Sequence, residues 1–264
     1  MYKIGFIGAG NMAFALAKAI KQAKLAKSII ISDINKERLD FVKNELKIEI
    51  TKDNKKVIKE SKIIFLAVKP QVMDIILNEI KDHVTDQQLI ISIAAGIKLK
   101  KMESKLKDQK IVRVMPNTPC IVGEMAAGFA VGKKVTNKDI EIIEKLLNAA
   151  GKAYCLDEDM LDAVTGLSGS GPAFIAILIE AMINAGIKEG LKKEVATKLT
   201  IQTFKGTIKL LQESKMTPEE LIEMVSSPNG TTVAGRKVLE ASNINQILED
   251  TIKAATKRSK ELGK

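Results

Sequence analysis

The chain has 264 residues, 45% of them hydrophobic and 28% charged, the composition of an ordinary soluble globular protein long enough for two domains and a full core. Its formal net charge of +10 rests almost wholly on lysine, with Arg38, Arg113, Arg236 and Arg258 the only arginines. The lysines are scattered without interleaved aromatics, so no nucleic-acid partner is expected, although the field favours anionic substrates and cofactors.

Lys3–Ile7 reads as a buried strand close to the first residue, so no signal peptide is expected. It runs into Gly8-Ala9-Gly10-Asn11-Met12-Ala13, a G-x-G-x-x-A turn opening a helix with Met12, Leu16, Ala19 and Ile20 on one face. Gly8 permits the tight turn, Gly10 lets a pyrophosphate approach the backbone, and Ala13 lets the helix pack close to the sheet with its N-terminus toward the phosphates. This is a dinucleotide-binding turn in its required context. Ile29–Ser32 is the second strand. Asp33 follows it, twenty residues after Ala13, where a carboxylate takes the ribose hydroxyls of NAD and repels the NADP phosphate. Lys36 and Arg38 come next and can bind a phosphate, so the choice between NAD(H) and NADP(H) stays open.

Ile63–Val68, Leu89–Ile93 and Ile111–Met115 read as further buried strands, with a helix carrying Val72, Ile75, Ile76 and Ile80 on one face. Such alternation predicts a parallel sheet with right-handed crossovers. Ala67-Val68-Lys69-Pro70 ends one of these strands, and loops at carboxyl ends face the ligand crevice, so this turn lines the cofactor. The lone histidine, His83, falls at a helix end and reads as a surface residue. Gly128–Val131 and Ala153–Leu156 are weaker strand candidates around a helix over Asn137–Ala149. Cys120 and Cys155 form no C-x-x-C pair, and no His/Cys/Asp cluster has ligand spacing. Reduced thiols in a cytoplasmic setting and no metal are expected.

Beyond Leu156 the β-signal stops. Helices are predicted over Pro172–Ala185, Lys193–Gln212, Pro218–Val225, Thr231–Ala241 and Asn245–Leu262. The longest apolar stretch, Ala173–Ile187, is interrupted by Glu180 and Asn184 and reads as too short and too polar to cross a membrane. The expected class is α/β: a Rossmann-type parallel-sheet domain over 1–157, then an all-helical domain over 158–264 that completes its core through a partner subunit. Gly166-Leu167-Ser168-Gly169-Ser170-Gly171-Pro172 brings backbone and hydroxyls to a ligand just before a helix. Ser226-Ser227-Pro228-Asn229-Gly230-Thr231-Thr232 also leads into a helix and suits a carboxylate receptor built without an arginine.

GFIGAGNMA at 5–13, LAVKP at 66–70, SIAAG at 92–96, MPNTP at 115–119, DAVTGLSGSGPAF at 162–174 and VSSPNGTTV at 225–233 together resemble pyrroline-5-carboxylate reductase, in the family's order and over nearly the whole chain. The resemblance implies reduction of the ring C=N of 1-pyrroline-5-carboxylate to L-proline by NAD(P)H. It implies that Gly8, Ala9, Gly10, Asn11, Met12 and Ala13 hold the pyrophosphate, and that Asn54, Ala67, Val68 and Lys69 line the adenosine and ribose side. Ala95 would lie near the nicotinamide, and Glu158, Thr165 and Ser170 near the substrate ring. Ser227, Gly230, Thr231 and Thr232 would hold the substrate carboxylate, from a neighbouring subunit of an interlocked homodimer, often assembled into a decamer. Two positions depart from the family pattern. Asp33 stands where the family often has a serine that meets the 2′-phosphate of NADP, and Asn229 replaces the first glycine of S-P-G-G. Asparagine tolerates positive φ, so the turn is expected to persist.

The chemistry suits this inventory. A protonated cyclic imine is already electrophilic and needs a hydride donor held close, a grip on its carboxylate and a hydroxyl near nitrogen. Thr165 is the candidate hydroxyl and Glu158 a candidate stabiliser of the cation. A β-hydroxyacid dehydrogenase shares the two-domain plan, but its catalytic lysine and asparagine positions are Ile175 and Ile179 here. Isoleucine transfers no proton. A non-catalytic NAD(P)-binding regulator is the remaining alternative.

Overall fold

Short apolar runs close into one eight-stranded sheet in the computed structural model, which describes residues 1–263. In chain order its first part is β1 (Tyr2–Ile7), α1 (Asn11–Gln22), β2 (Ala26–Ser32), α2 (Lys36–Leu46), β3 (Glu49–Thr51), α3 (Asn54–Glu60), β4 (Ile63–Leu66), α4 (Met73–Ile80), β5 (Leu89–Ser92), α5 (Leu99–Lys105), β6 (Lys110–Met115), β7 (Met125–Val131), α6 (Asn137–Asn148) and β8 (Gly151–Cys155). The strands lie in the order β3-β2-β1-β4-β5-β6-β7-β8. All neighbours are parallel except β6 and β7, which run antiparallel with Val114 opposite Phe129. That pair departs from the purely parallel expectation, because the nine residues 116–124 between the two strands are too few for a crossover helix.

Side chains alternate across the strands into two cores. Ile4, Phe6, Ile29, Ile31 and Phe65 meet α1 residues Ala13, Leu16 and Ile20 on one face. Ile7, Ile30, Ile64 and Leu66 meet Val57, Leu77 and Met102 on the other. Phe6 and Phe65 stack across β1 and β4 with ring centroids 4.6 Å apart. Gly5 admits α3 to the sheet: a Cβ there would lie 2.5 Å from both Ser61 Oγ and Val57 Cγ1.

Polar composition hid several elements. α2 buries only Leu39, Val42 and Leu46 and is held at its start by the Asn35 side chain, which accepts from the Arg38 N–H. β3 has three residues at the sheet edge. The predicted face of α4 holds at Ile76 and Ile80, which meet the core, and is corrected at Val72 and Ile75. Met73, Leu77 and Ile80 are its buried residues, whereas Val72 and Ile75 are 39% and 66% exposed.

The second part is helical: α7 (Leu161–Val164), a π turn (Thr165–Gly169), α8 (Gly171–Lys188), α9 (Lys193–Ser214), α10 (Pro218–Met224), α11 (Thr231–Glu240) and α12 (Ile244–Leu262). Packing divides the chain into two compact units, Met1–Pro172 joined by the chain's end from Lys253 onward, and Ala173–Ile252. The helical run Glu158–Lys188 is 31 residues long, with a mean hydropathy of 1.6 in its most apolar stretch. By length and composition alone this longer run could cross a membrane. In the isolated chain Ile175, Leu178 and Met182, spaced along one side of α8, are left partly exposed.

Gly5→Val is expected to destabilise the fold by about 1–3 kcal/mol through overpacking. A lowered midpoint at unchanged slope in urea denaturation is the signature; wild-type stability would show that α3 can recede.

Candidate active site and cofactor crevice

The strand order reverses between β1 and β4, and open α/β sheets bind ligands outside the carboxyl ends of their strands at such a point. Gly8 closes β1 there with φ +101°, its N–H donating to Ser32 O at 2.8 Å. A Cβ at Gly8 would stand 2.6 Å from the Ala67 carbonyl oxygen, so glycine alone lets the turn meet the end of β4. Ala67 itself donates to Ile7 O at 2.8 Å. Next, Gly10 faces open space, and no side chain caps α1. The first-turn N–H groups of Asn11 and Met12 are therefore available to an anion, while Ala13 is fully buried against the sheet.

Asp33 grips this turn. Its Oδ2 accepts from the Ala9 N–H at 2.7 Å and its Oδ1 from the Asn35 N–H at 2.9 Å. A carboxylate has further acceptor sites for ribose hydroxyls. Arg38 holds the other side of the same residue: its Nε donates to Ala9 O, and its guanidinium lies 4.8 Å from the Phe41 ring centroid. Arg38 is thus engaged in supporting the turn, and Lys36 is exposed.

A cavity of about 320 Å³ opens beside the turn, lined among others by Gly8, Asp33, Asn54, Val68, Ile75 and Glu79. Val68, Val72, Ile75 and Ile76 form apolar walls suited to a base, and Asp33, Asn54 and Glu79 supply polar groups. The Asn54 amide is oriented from both sides: Ser32 Oγ donates to Asn54 Oδ1 at 2.7 Å, and Asn54 Nδ2 donates to Glu79 Oε2 at 2.9 Å. Ser32, Val72, Ile75, Ile76 and Glu79 escaped the sequence reading. For Val72 and Ile75 the signal was an apolar face at the helix start, which was read as core; Ser32 and Glu79 carried no signal in the sequence.

Lys69 is exposed at the start of a short 3-10 turn after β4, and Ala95 is exposed in the loop after β5, at the same carboxyl edge of the sheet as Gly8. His83 lies beside Lys59, Lys62 and Gln88, near the opposite ends of β4 and β5, and takes no part in the crevice. Cys120 and Cys155 are both free. Burial pushes the Cys120 thiol up to about 11, which leaves it unreactive.

The glycine–serine segment is a π turn, with the Ser170 N–H bonded to Thr165 O at 2.9 Å. Thr165 Oγ1 donates to Leu161 O at 2.8 Å, so its hydroxyl presents lone pairs outward as an acceptor. Asn117, also missed as a functional residue, ties two motifs together. Its Nδ2 donates to Ser168 O at 3.0 Å and its Oδ1 accepts from the Ala126 N–H at 2.9 Å. The side chain of Met115 packs where a Cβ on Gly169 would lie.

Glu158 bridges two elements. Its Oε1 accepts from the Leu99 N–H at 2.7 Å, at the start of α5, and from Nη1 of the buried Arg113 at 3.0 Å. Glu158 is thus a structural brace between the start of α5 and β6, a task the sequence reading did not give it.

In the other unit, the Gly230 N–H donates to Ser227 O at 2.9 Å, closing a turn with Pro228 and Asn229 at its corners. Asn229 has φ +58°, so the expected tolerance holds. A Cβ on Gly230 would lie 2.5 Å from Ser227 Oγ. α11 starts at Thr231 without a side-chain cap, leaving the Thr231 and Thr232 N–H groups and hydroxyls at an exposed helix start.

The glycine cradle at the strand-order reversal, the uncapped helix behind it and the adjoining cavity fit a dinucleotide, and together with the hydroxyl-bearing π turn they define a nicotinamide-dependent oxidoreductase. Comparison with known proteins refines this. Residues 158–262 match the pyrroline-5-carboxylate reductase dimerisation family, and residues 3–96 match a family described as NADP oxidoreductase, coenzyme F420-dependent. A pyrroline-5-carboxylate reductase of Methanosarcina acetivorans is 42% identical over 99% of this chain and 98% of its own, and human pyrroline-5-carboxylate reductase 2 is 35% identical over 98% and 83%. The solved pyrroline-5-carboxylate reductase of Coxiella burnetii superposes with a TM-score of 0.94 at 34% identity, covering 99% of this chain and 98% of its own. That of Plasmodium falciparum, with NADP bound, gives 0.87 at 32% over 100% and 98%. The chain belongs to the pyrroline-5-carboxylate reductase family. Its first domain is an NAD(P)-binding oxidoreductase domain, and its dimerisation region makes it homo-oligomeric.

Removing the brace leaves a buried guanidinium without this carboxylate partner. Glu158→Ala is expected to cost about 3–5 kcal/mol of stability. Chemical denaturation checks this, and a loss of activity at wild-type stability would favour the catalytic role over the brace.

Proposed function

We propose that this chain reduces the ring C=N of 1-pyrroline-5-carboxylate to L-proline with NADPH or NADH, the final step of proline synthesis. The single observation that carries the reading is full-length similarity to pyrroline-5-carboxylate reductases, in a chain that carries the cofactor turn, the π turn and the S-S-P-N-G-T-T segment. The functional division falls at 157/158, with residues 1–157 holding the cofactor and 158–264 supplying substrate groups and the subunit contact.

The nicotinamide cofactor, when bound, supplies a hydride to the imine carbon. Gly8 to Ala13 take its pyrophosphate on the N–H groups of the turn and of α1. Asp33, Asn54, Ala67, Val68 and Lys69 take the adenosine side, and Ala95 the nicotinamide side. Thr165 accepts from the protonated ring nitrogen, a role matched to a hydroxyl whose own proton is already given to Leu161 O. That nitrogen keeps its proton and becomes the secondary amine of proline, so no protein group needs to transfer one during the hydride step. Ser170 adds a hydroxyl nearby. Ser227, Gly230, Thr231 and Thr232 hold the carboxylate and fix the ring for hydride transfer.

The exposed apolar side of α8 supports burial against a second copy over insertion in a membrane, since the match to a dimerisation region covers the same helix. A homodimer, with a decamer as its further assembly, a cytoplasmic location, and no membrane or nucleic-acid partner complete the reading.

Purified protein is expected to oxidise NADPH or NADH in the presence of pyrroline-5-carboxylate and to form proline. Protein that binds either dinucleotide yet never turns over with this imine would overturn the assignment in favour of a cofactor-binding regulator. Gly230→Val is expected to raise KM for the imine about tenfold or more while leaving cofactor affinity near wild type, the loss corresponding to one hydrogen bond to a charged group. An unchanged KM would remove the carboxylate role from this loop.

A further inference from the structure

We infer that Glu79 is a specificity-determining residue which, together with Asp33, turns the adenosine pocket of this chain against the 2′-phosphate of NADP. The inference rests on the cofactor reading given above and deepens it.

The cavity beside Gly8 holds two carboxylates, Asp33 from the end of β2 and Glu79 from α4, and no lysine or arginine is among the residues lining it. Asp33 marks this cavity as the adenosine end, because it follows β2 where a ribose is received. Glu79 stands within the same space and is only partly exposed. It is not a mobile surface acid: its Oε2 accepts from Asn54 Nδ2, and Asn54 is fixed in turn by Ser32, the residue before Asp33. The chain Ser32–Asn54–Glu79 therefore joins the two acidic positions.

The cation best placed to offset them is already engaged. Arg38 donates Nε to Ala9 O and lies over Phe41, with its Nη2 buried and unpaired. Its guanidinium supports the turn and is not among the groups lining the cavity. A dianionic 2′-phosphate thus meets two negative charges in a partly buried pocket, where like charges repel more strongly than in bulk water. A ribose 2′-OH meets two acceptors.

The test is titration of NADH and NADPH fluorescence with the full-length protein in the absence of imine. Wild type is expected to bind NADH more tightly. Glu79→Gln keeps the shape and a carbonyl acceptor but removes the charge, and should raise NADPH affinity relative to NADH about five- to tenfold. Asp33→Ser should move the ratio in the same direction. Glu79→Asp, which keeps the charge, should stay near the wild-type ratio. Added salt should narrow the wild-type discrimination and leave Glu79→Gln less affected, as screening requires. If Glu79→Gln weakens both dinucleotides equally, or leaves the ratio at the wild-type value, Glu79 only holds Asn54 and the inference fails. If wild type binds neither dinucleotide, the cofactor reading itself falls, and this inference with it.

Discussion

The cofactor end of this protein depends on one close approach. The end of β1 must touch the end of β4, and the backbone at residue 8 makes that contact with positive φ and no room for a side chain. From it follow the tight turn, the start of α1 and the exposure of its first N–H groups. Because the turn cannot hold itself, it is braced from outside. Asp33 takes the N–H of Ala9 and Arg38 takes its carbonyl, so both backbone groups of one turn residue are pinned by side chains from the β2–α2 region. Charges that read as ligand-binding in sequence therefore also serve the scaffold.

The same economy governs the entry to the helical part. The π turn offers backbone and small hydroxyls rather than a strong acid or base, so its geometry must be rigid to be useful. Asn117 supplies that by bonding Ser168 O on one side and the Ala126 N–H on the other. Glu158 supplies it by joining the start of α5 to the buried Arg113. A reaction on an activated imine asks mainly for positioning, and the side chains around the turn are largely positioners.

The apolar helices show how composition alone misleads. The run Glu158–Lys188 has the length and hydropathy of a membrane span, yet it belongs to a region that matches a dimerisation family. An uncovered apolar helix face is common to both situations, and its Glu180 and Asn184 suit a protein–protein surface better than lipid.

Local chemistry was readable from the residues themselves. G-x-G-x-x-A after an apolar run requires the strand–turn–helix it forms, and Pro218 starts a helix where proline belongs. Asn229 takes the positive φ that its turn demands. The α/β class, the core strands and the family resemblance all rest on such short-range constraints, which act within a few residues and so are written in order along the chain. The functional division at 157/158 and the roles of Thr165, Ser170 and the Ser227–Thr232 segment remain proposals built on that resemblance. What tertiary structure alone decided were the pairings between distant segments. The short β6–β7 connection made one strand pair antiparallel. Part of the side of α4 read as core became the wall of the cavity beside Gly8, because Met73, Leu77 and Ile80 took the sheet and left Val72 and Ile75 exposed. Glu158 met Arg113 across 45 positions of sequence, and Glu79 met Asn54 across 25. No periodicity encodes such meetings, because they depend on which faces the packed elements turn toward one another in three dimensions.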